Sequence, residues 1–494
     1  MSIERSAGIL LPISSLPSNY GIGTLGKEAY RFIDFLKEAG QKYWQILPIG
    51  PTSYGDSPYQ SFSSFAGNPY FIDLDVLIEE GLLKKEDVSG LTVSDPQFVD
   101  YEYIYNTRFD VLKKAYRRGK KTRKKEFEAF LKENREWIGD YALFMAVKNH
   151  YDNVSWIEWP RKAMRLRDKE TLARFRQKHA SQIEFYEFMQ YLFFEQYEKM
   201  RAYAHENGVK IIGDIPIYVS LDSSDVWADP KTFQLDENGY PTEVAGVPPD
   251  YFSEDGQLWG NPLYDWDHLK KTGYKFWINR IAAAAKCYDV IRIDHFRGFQ
   301  QYWAVPYGDK TARNGRWVNG PSYTFVKVIR EWFNDVDFIA EDLGVISEDV
   351  NELLRKSGFP GMRVLEFGMD PKGPSYHTPH NHVPNCVCYI STHDNSPIMG
   401  WKDNADKGDV KTARKYLGLN PKEGFNFGFI RAGMSSVANL FVCQMQDYLG
   451  LGEDCRTNSP GTIGLNWKWR LLDGQADDKL KKKIREMTRL YGRL

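Results

Sequence analysis

No window of this chain approaches the ~18 consecutive apolar residues that a membrane-crossing helix requires. Near the amino terminus the one apolar stretch is "GILLPI" (Gly8–Ile13), too short and too Pro-interrupted for a signal peptide, so a cytoplasmic location is expected. Cysteine is scarce. The five residues Cys287, Cys386, Cys388, Cys443 and Cys455 form no C-x-x-C pair, and an odd number argues against a disulfide framework. Cys386 and Cys388 flank one valine in an apolar run, which suits a buried strand in a reducing compartment. Charge of either sign is not in excess. A formal net charge of −1 gives no global field to attract nucleic acid or an anionic membrane. The single basic run, Arg117 to Lys125, lies in a polar, Glu-containing helical stretch without interleaved aromatics and reads as a solvated helix face. No H-x-x-x-H or EF-hand spacing occurs. "HTPHNH" (His377, His380, His382) sits in a Pro-rich loop, so no metal or other cofactor is expected.

Aromatic residues, by contrast, are abundant: 14 Trp, 30 Tyr and 29 Phe. A core accounts for most of them. Many others lie among Gly, Pro, Asp and Asn, as in "PTSYGDSPYQSFSSFAGNPYF" and "VPPDYFSEDGQLWGNPLYDW", where a core helix or strand is not expected. Loop aromatics with polar neighbours suit a ligand with flat apolar faces and hydroxyl edges, such as a sugar.

The 494 residues can bury a large core, and a length prior of several domains competes with one barrel carrying insertions. A repeated unit decides between them. It is a helix-period stretch, a Gly or Asn-Asp stop, then four to six apolar residues ending in something polar. It recurs in "AYRFIDFLKEAGQKYWQILPI", "YEKMRAYAHENGVKIIGDIPI", "INRIAAAAKCYDVIRIDHF", "VIREWFNDVDFIAEDLG", "VNELLRKSGFPGMRVLEFG" and "CVCYISTHDN". With "GILLPI" in front and a strand around "GTIGLNW" behind, about eight strands result. Near-continuous apolar runs mark strands covered on both faces. The expected fold is α/β, a (β/α)8 barrel, with an open doubly wound sheet as the alternative. One catalytic barrel over 1–494 is expected, with a mainly helical insertion at about 76–205 after strand two. A loop-rich insertion at about 218–269 follows strand three.

Four of the strands end in acids: Asp214 in "IIGDIP", Asp294 in "IRIDHF", Glu341 in "FIAEDLG" and Asp394 in "YISTHDN". In a barrel, strand carboxyl ends converge on one pocket. Clustered carboxylates serve metal binding or glycoside chemistry, and the missing metal spacings favour the second. Breaking a glycosidic bond with retention needs a carboxylate nucleophile and a carboxylic acid to protonate the leaving oxygen, with their pKa values pushed apart. Alternation along "VIRID" puts Val290, Arg292 and Asp294 on one face, opposite Ile291 and Ile293. Arg292 would keep Asp294 anionic and nucleophilic. Glu341, with no such partner in its strand, is the acid/base candidate, and Asp394 with His393 would bind sugar hydroxyls.

The motifs "IRIDHFRG", "AEDLG" and "STHDN", in this order, resemble the catalytic regions of the alpha-amylase superfamily. The fuller set resembles its 4-alpha-glucanotransferase branch, the amylomaltase or disproportionating-enzyme family. It comprises "LPSNYGIGTLG", "AGQKYWQILPIGPT", "SPYQSFSSFAGNP", "IIGDIPIYV", "GVPPDYFSEDGQLWGNPLYDW" and "TNSPGT" followed by "NWKWR", and spans Gly8 to about Arg470. The resemblance implies transfer of an alpha-1,4-glucan segment to the 4-hydroxyl of an acceptor glucan or glucose. The partners implied are glucans and maltooligosaccharides. The implied nucleophile is Asp294, the acid/base Glu341 and the transition-state stabiliser Asp394. Tyr59, Asp214, Arg292 and His393 match residues around the sugar being transferred. Tyr251, Phe252, Gln257 and Trp259 match an acceptor-side loop, Asp370 another acceptor-side residue, and Asn466 a further substrate contact. Tyr54 and Tyr101 match a second glucan-binding groove. Ser396-Pro397-Ile398 departs from the acid or Thr that many relatives carry after "THDN". The branch lacks the carboxyl-terminal β-sandwich of amylases.

Three rivals remain at this stage. A hydrolase of the same chemistry, an alpha-glucosidase or amylase, differs only in the acceptor loop. "GIGTLG" fits G-x-G-x-x-G at Gly21, Gly23 and Gly26, but a dinucleotide site needs the glycines directly after the strand, and "PISSLPSNY" intervenes. A non-catalytic glucan-binding protein would be expected to have lost Asp294, Glu341 or Asp394, and all three are present.

Overall fold

The computed structural model describes residues 3–53, 55–249, 253–344 and 346–494. Its strands in chain order are β1 (Ser6–Leu10), β2 (Tyr43–Gln45), β3 (Lys210–Pro216), β4 (Glu243–Val247), β5 (Gln257–Pro262), β6 (Val290–Asp294), β7 (Gln301–Pro306), β8 (Arg316–Asn319), β9 (Asp337–Ala340), β10 (Gly361–Val364), β11 (Cys386–Tyr389) and β12 (Leu440–Gln444). Eight of them form one parallel sheet in the order β10-β11-β12-β1-β2-β3-β6-β9. The two ends of that order meet where the Ala340 N–H donates to the Pro360 carbonyl at 3.0 Å. The sheet thus curls into a (β/α)-type barrel surrounded by helices.

Two apolar layers follow from strand alternation. Leu10, Ile212, Val290, Ile339, Met362, Val387, Tyr389 and Leu440 fill the barrel. Ile9, Ile211, Ile291, Ile293, Phe338 and Ala340 face the helices. Val290 inside and Ile291 outside put Arg292 and Asp294 on the inward face, as alternation predicts.

The eighth strand is not where it was expected. "GTIGLNW" is a turn, with Gly461 and Gly464 at φ of 81° and 94°, and with Ile463 and Leu465 exposed at 72% and 83%. The strand is instead "LFVCQ", five buried residues paired to both β1 and β11. A continuous buried run belongs between two neighbours, and a segment with two left-handed glycines cannot hold a ladder.

Between β2 and β3 lie several helices, among them Tyr101–Thr122, Ile138–His150 and the 27-residue Ala180–Glu206. The connections after β3 and β6 contribute a second, antiparallel sheet ordered β5-β4-β7-β8. Sequence periodicity marks none of these four strands. A register shift between Val244 and Gly246, together with Gly260 and Pro262, interrupts the alternation. The last element is the helix Asp478–Leu490, and no β-sandwich occurs among the described residues. Among them, too, no helix is long and apolar enough to cross a membrane.

The turn "GIGTLG" is filled by the protein itself. A Cβ on Gly23 would lie 1.8 Å from the Ile13 carbonyl oxygen, and one on Gly26 would lie 2.0 Å from the Asp73 carboxylate. Asp73 accepts from the Thr24 hydroxyl at 2.6 Å and caps the helix Leu74–Glu79. An anionic pyrophosphate would meet that carboxylate, so the glycines serve close packing. The imidazoles of "HTPHNH" are likewise engaged: His377 Nδ1 accepts from the Val364 N–H, His380 bonds Tyr416, and His382 bonds Ser436 and the His377 carbonyl.

Candidate active site

The carboxyl ends of β3, β6, β9 and β11 deliver Asp214, Asp294, Glu341 and the "STHDN" loop to one mouth of the barrel. Parallel register sets Asp214 directly beside Arg292. The Arg292 guanidinium donates through Nη1 to Asp214 Oδ2 at 2.5 Å and lies 3.0 Å from Asp294 Oδ1. Burial alone would lower the Arg292 pKa, but the two carboxylates outweigh it and hold the guanidinium charged. The expectation of an Arg292–Asp294 pair is therefore met only as half of a shared arrangement. Arg292 is anchored across strands by Asp214 and extends its remaining attraction to Asp294.

Tyr59, from the loop after β2, donates its hydroxyl proton to Asp214 Oδ2 at 2.7 Å. The Tyr59 hydroxyl oxygen is also 2.8 Å from His393 Nε2. Its one proton being committed to Asp214, the hydroxyl accepts here, which assigns the hydrogen of His393 to Nε2. Burial lowers the His393 pKa and keeps the ring neutral. Asp394 Oδ2 lies 3.4 Å from the same Nε2, and its side chain is 40% exposed, at the opening of the site.

Glu341 is held by backbone. Its Oε2 accepts from the His295 N–H and its Oε1 from the Leu343 N–H, each at 2.7 Å. The first bond depends on His295 adopting the left-handed conformation at φ 55°, a strained choice for a non-glycine residue. Burial, and then the negative charge of Asp294, push the Glu341 carboxyl up to about 8. Burial also raises Asp294, but Arg292 opposes it directly. The environments of the two carboxyls therefore differ as an acid and a nucleophile require. His295 itself is kept neutral by burial, its pKa lowered to about 3.

Trp259 of β5 meets the His295 ring edge-on at 4.8 Å, and its indole N–H donates to Gln257 Oε1 at 3.1 Å. This brings the acceptor-loop candidates Gln257 and Trp259 alongside the end of β6. Tyr54, Tyr251 and Phe252 lie outside the described residues. Three other candidates stand apart from the cluster. Asp370 is exposed and accepts from the Lys372 N–H at 2.8 Å. Asn466 spends its amide on Ser459 and Thr462, bracing the loop that precedes Trp467. Tyr101 is buried, 8% exposed, and its hydroxyl donates to the Trp467 carbonyl at 2.8 Å. That position lies in the wall of a second pocket, together with Thr52, Phe71 and Trp467.

Two members of the site carry no strand-end signal. Trp467 packs on Tyr59 at 5.8 Å and on His393 at 6.2 Å. Asn458 donates its side-chain amide to Asp394 Oδ1 at 2.6 Å. Both lie inside the quoted motifs "NWKWR" and "TNSPGT", so the motifs contain them without indicating what they touch.

A family model described as 4-alpha-glucanotransferase matches residues 11–475. The chain is 47% identical over 484 residues to a 4-alpha-glucanotransferase of Clostridium butyricum, covering 97% of this chain and 99% of that one. It is 44% identical over 506 residues to one from Thermus thermophilus, covering both chains in full. Among solved structures, an amylomaltase of Streptococcus agalactiae in complex with acarbose superposes with a TM-score of 0.97 at 43% identity, covering 99% of this chain and 100% of that one.

Proposed function

The chain belongs to the 4-alpha-glucanotransferase family, an enzyme of transglycosylation on alpha-1,4-glucans, and from that premise we propose how its own residues divide the reaction. Asp294 attacks the anomeric carbon of a donor glucan while Glu341 protonates the departing glycosidic oxygen. The bond from carbon to that oxygen breaks, and a glycosyl ester on Asp294 forms. Glu341, now a carboxylate, removes the proton from the 4-hydroxyl of an acceptor glucan or glucose. That oxygen bonds the anomeric carbon as the ester bond to Asp294 breaks, and the proton it has given up leaves Glu341 ready for the next cycle. Asp394 stabilises the oxocarbenium-like transition state through sugar hydroxyls. Tyr59, Asp214, Arg292 and His393 hold the sugar and the charge of Asp294.

One observation carries the assignment of roles. Arg292 reaches Asp294 at 3.0 Å, whereas Glu341 has only backbone donors and a pKa pushed to about 8. The proton therefore resides on Glu341 near neutral pH. Trp259 and Gln257 beside the β6 end support an acceptor subsite whose apolar surface displaces water, favouring a sugar hydroxyl over hydrolysis.

The test is to incubate the protein with maltotriose and resolve products by size over time. Longer maltooligosaccharides plus glucose are expected, and Asp294→Asn is expected to abolish them. Maltose and glucose alone, with reducing ends rising steadily, would make the intermediate's fate hydrolysis and remove the acceptor role from Trp259.

A further inference from the structure

At the "STHDN" loop a second guanidinium is committed to hydrogen bonds within the protein, two of them to backbone carbonyls. Arg456 follows the short turn Glu453–Cys455. Its Nη2 donates to the Asp394 carbonyl at 2.6 Å, and its Nε to the Asn458 carbonyl at 2.7 Å. Its Nη1 donates to Glu453 Oε1 at 3.0 Å and to Ser396 Oγ at 3.3 Å. The Asn458 that it fixes then bonds back twice. Its backbone N–H donates to the His393 carbonyl at 3.0 Å, and its side chain donates to Asp394 Oδ1 at 2.6 Å. Asp394 is thus held through its carbonyl, through one carboxylate oxygen, and through the carbonyl of the residue before it. Its Oδ2, beside His393 Nε2, is the oxygen left for substrate.

The charge of this arrangement is balanced locally. Glu453 pairs with Arg456 and is itself confined: a Cβ on Gly400 would lie 2.6 Å from Glu453 Oε2. The neighbouring Glu366 is buried, and burial, followed by the charge of Asp447, raises its pKa; it makes no ion pair with Arg456. Arg456 therefore has one anionic partner and directs its other donors at the loop. Planar, fixed donors of this kind suit guanidinium and not ammonium. Ser396 Oγ supplies a neutral acceptor to Nη1, so one carboxylate, that of Glu453, suffices to seat Arg456.

We propose that Arg456 and Asn458 form a clamp that positions Asp394 for the transition state, Arg456 as a positioning residue and Asn458 as its arm onto the carboxylate. The proposal rests on Asp394 acting on the glucan, and the experiment separates the two. Arg456→Lys, Arg456→Ala and Asn458→Ser are assayed for maltotriose disproportionation beside Asp394→Asn, with melting temperatures measured in parallel. A carboxylate displaced by about an ångström costs on the order of 100-fold in rate, so kcat is expected to fall about 10- to 100-fold in Arg456→Ala and about 10-fold in Asn458→Ser, with KM within about twofold. Added guanidinium ion is expected to restore part of the activity of Arg456→Ala and none to Asn458→Ser, while Arg456→Lys falls between wild type and Arg456→Ala. If Arg456→Ala fails to fold, Asn458→Ser, which removes only the bond to Oδ1, carries the test. Wild-type kcat in Arg456→Lys and Asn458→Ser, with Asp394→Asn inactive, overturns the clamp and leaves the catalytic reading standing. A loss that tracks melting temperature, raises KM and is not rescued marks a merely structural role and also overturns it. Activity in Asp394→Asn removes the catalytic reading itself.

Discussion

Glutamine at position 341 keeps the shape of the buried glutamate but can neither donate the proton nor bear the charge, so activity falls while the effect on stability changes sign with pH. Loss of a positioned general acid/base lowers the rate by roughly 10²- to 10⁴-fold. For stability, the folded protein raises the Glu341 carboxyl from an ordinary 4.5 to about 8. A raised pKa means that the native state binds the proton more tightly than the unfolded chain. The associated stability is complete below about 4.5 and is lost as pH climbs to about 8. At ~1.36 kcal/mol per pH unit, that amounts to a ceiling of about 5 kcal/mol, released when Glu341 must ionise in place beside Asp294. Against this, the glutamine amide must turn its NH2 toward one of the two backbone donors, His295 or Leu343. An unsatisfied buried donor costs about 1–3 kcal/mol. The expected result is a crossing: Glu341→Gln about 0–2 kcal/mol less stable than wild type near pH 5, and about 2–4 kcal/mol more stable near pH 9. Urea unfolding of both proteins at the two pH values, with disproportionation rates alongside, measures it. Stability curves that stay parallel from about pH 5 to 9 would refute the argument that Glu341 holds its proton at neutral pH.

The same raised pKa predicts that kcat/KM for maltotriose falls about tenfold per pH unit above about 8, as the free enzyme loses its acid; a profile flat to about pH 10 excludes Glu341 as that acid. Tyr59→Phe removes the donor to Asp214 and the acceptor for His393. A hydrogen bond to a charged group is worth about 1.5–3 kcal/mol, so kcat/KM is expected to drop roughly 10- to 100-fold, and an unchanged value would show that Arg292 alone holds Asp214. Tyr101→Phe loses one buried bond to the Trp467 carbonyl. It is expected to lower stability by about 1 kcal/mol with glucan affinity unchanged; weakened glucan binding at wild-type stability, read by affinity electrophoresis, would place Tyr101 in a glucan groove after all.

What was legible in the sequence is what strand alternation and apolar runs encode. "VIRID" announces both its inward face and its terminal acid, and the acids of β3, β6 and β9 arrive where a barrel must put them. β12 escaped because "LFVCQ" ends in glutamine and helix, without an acid to flag it, while the aromatic "NWKWR" drew attention to the glycine-rich turn before it. The four-strand sheet is invisible locally because it is assembled across the chain: Gly246 pairs Trp303, and Trp303 pairs Trp317. Partnership within the site has the same character. Adjacency along one strand suggests Arg292 with Asp294, but the closer bond is to Asp214, a neighbour only through the β3–β6 register. Asn458 is 64 residues from the Asp394 it holds.

The distribution of positive charge explains why these four carboxyls do not behave alike. One guanidinium serves the cluster, and its bonds go to Asp214 and Asp294. Asp394 leans on a neutral amide and faces the opening, where water can screen it. Glu341 is buried and has no cation in contact among the described residues, and burial with the charge of Asp294 raises its carboxyl to about 8, above Asp214 at about 7. In the proposed reaction the backbone bonds from His295 and Leu343 would stabilise the Glu341 carboxylate once its proton has left. A residue with a lysine or arginine in that place would be a better-settled anion and a poorer acid. The left-handed conformation of His295 accompanies one of these two donors, the N–H that meets Glu341 Oε2.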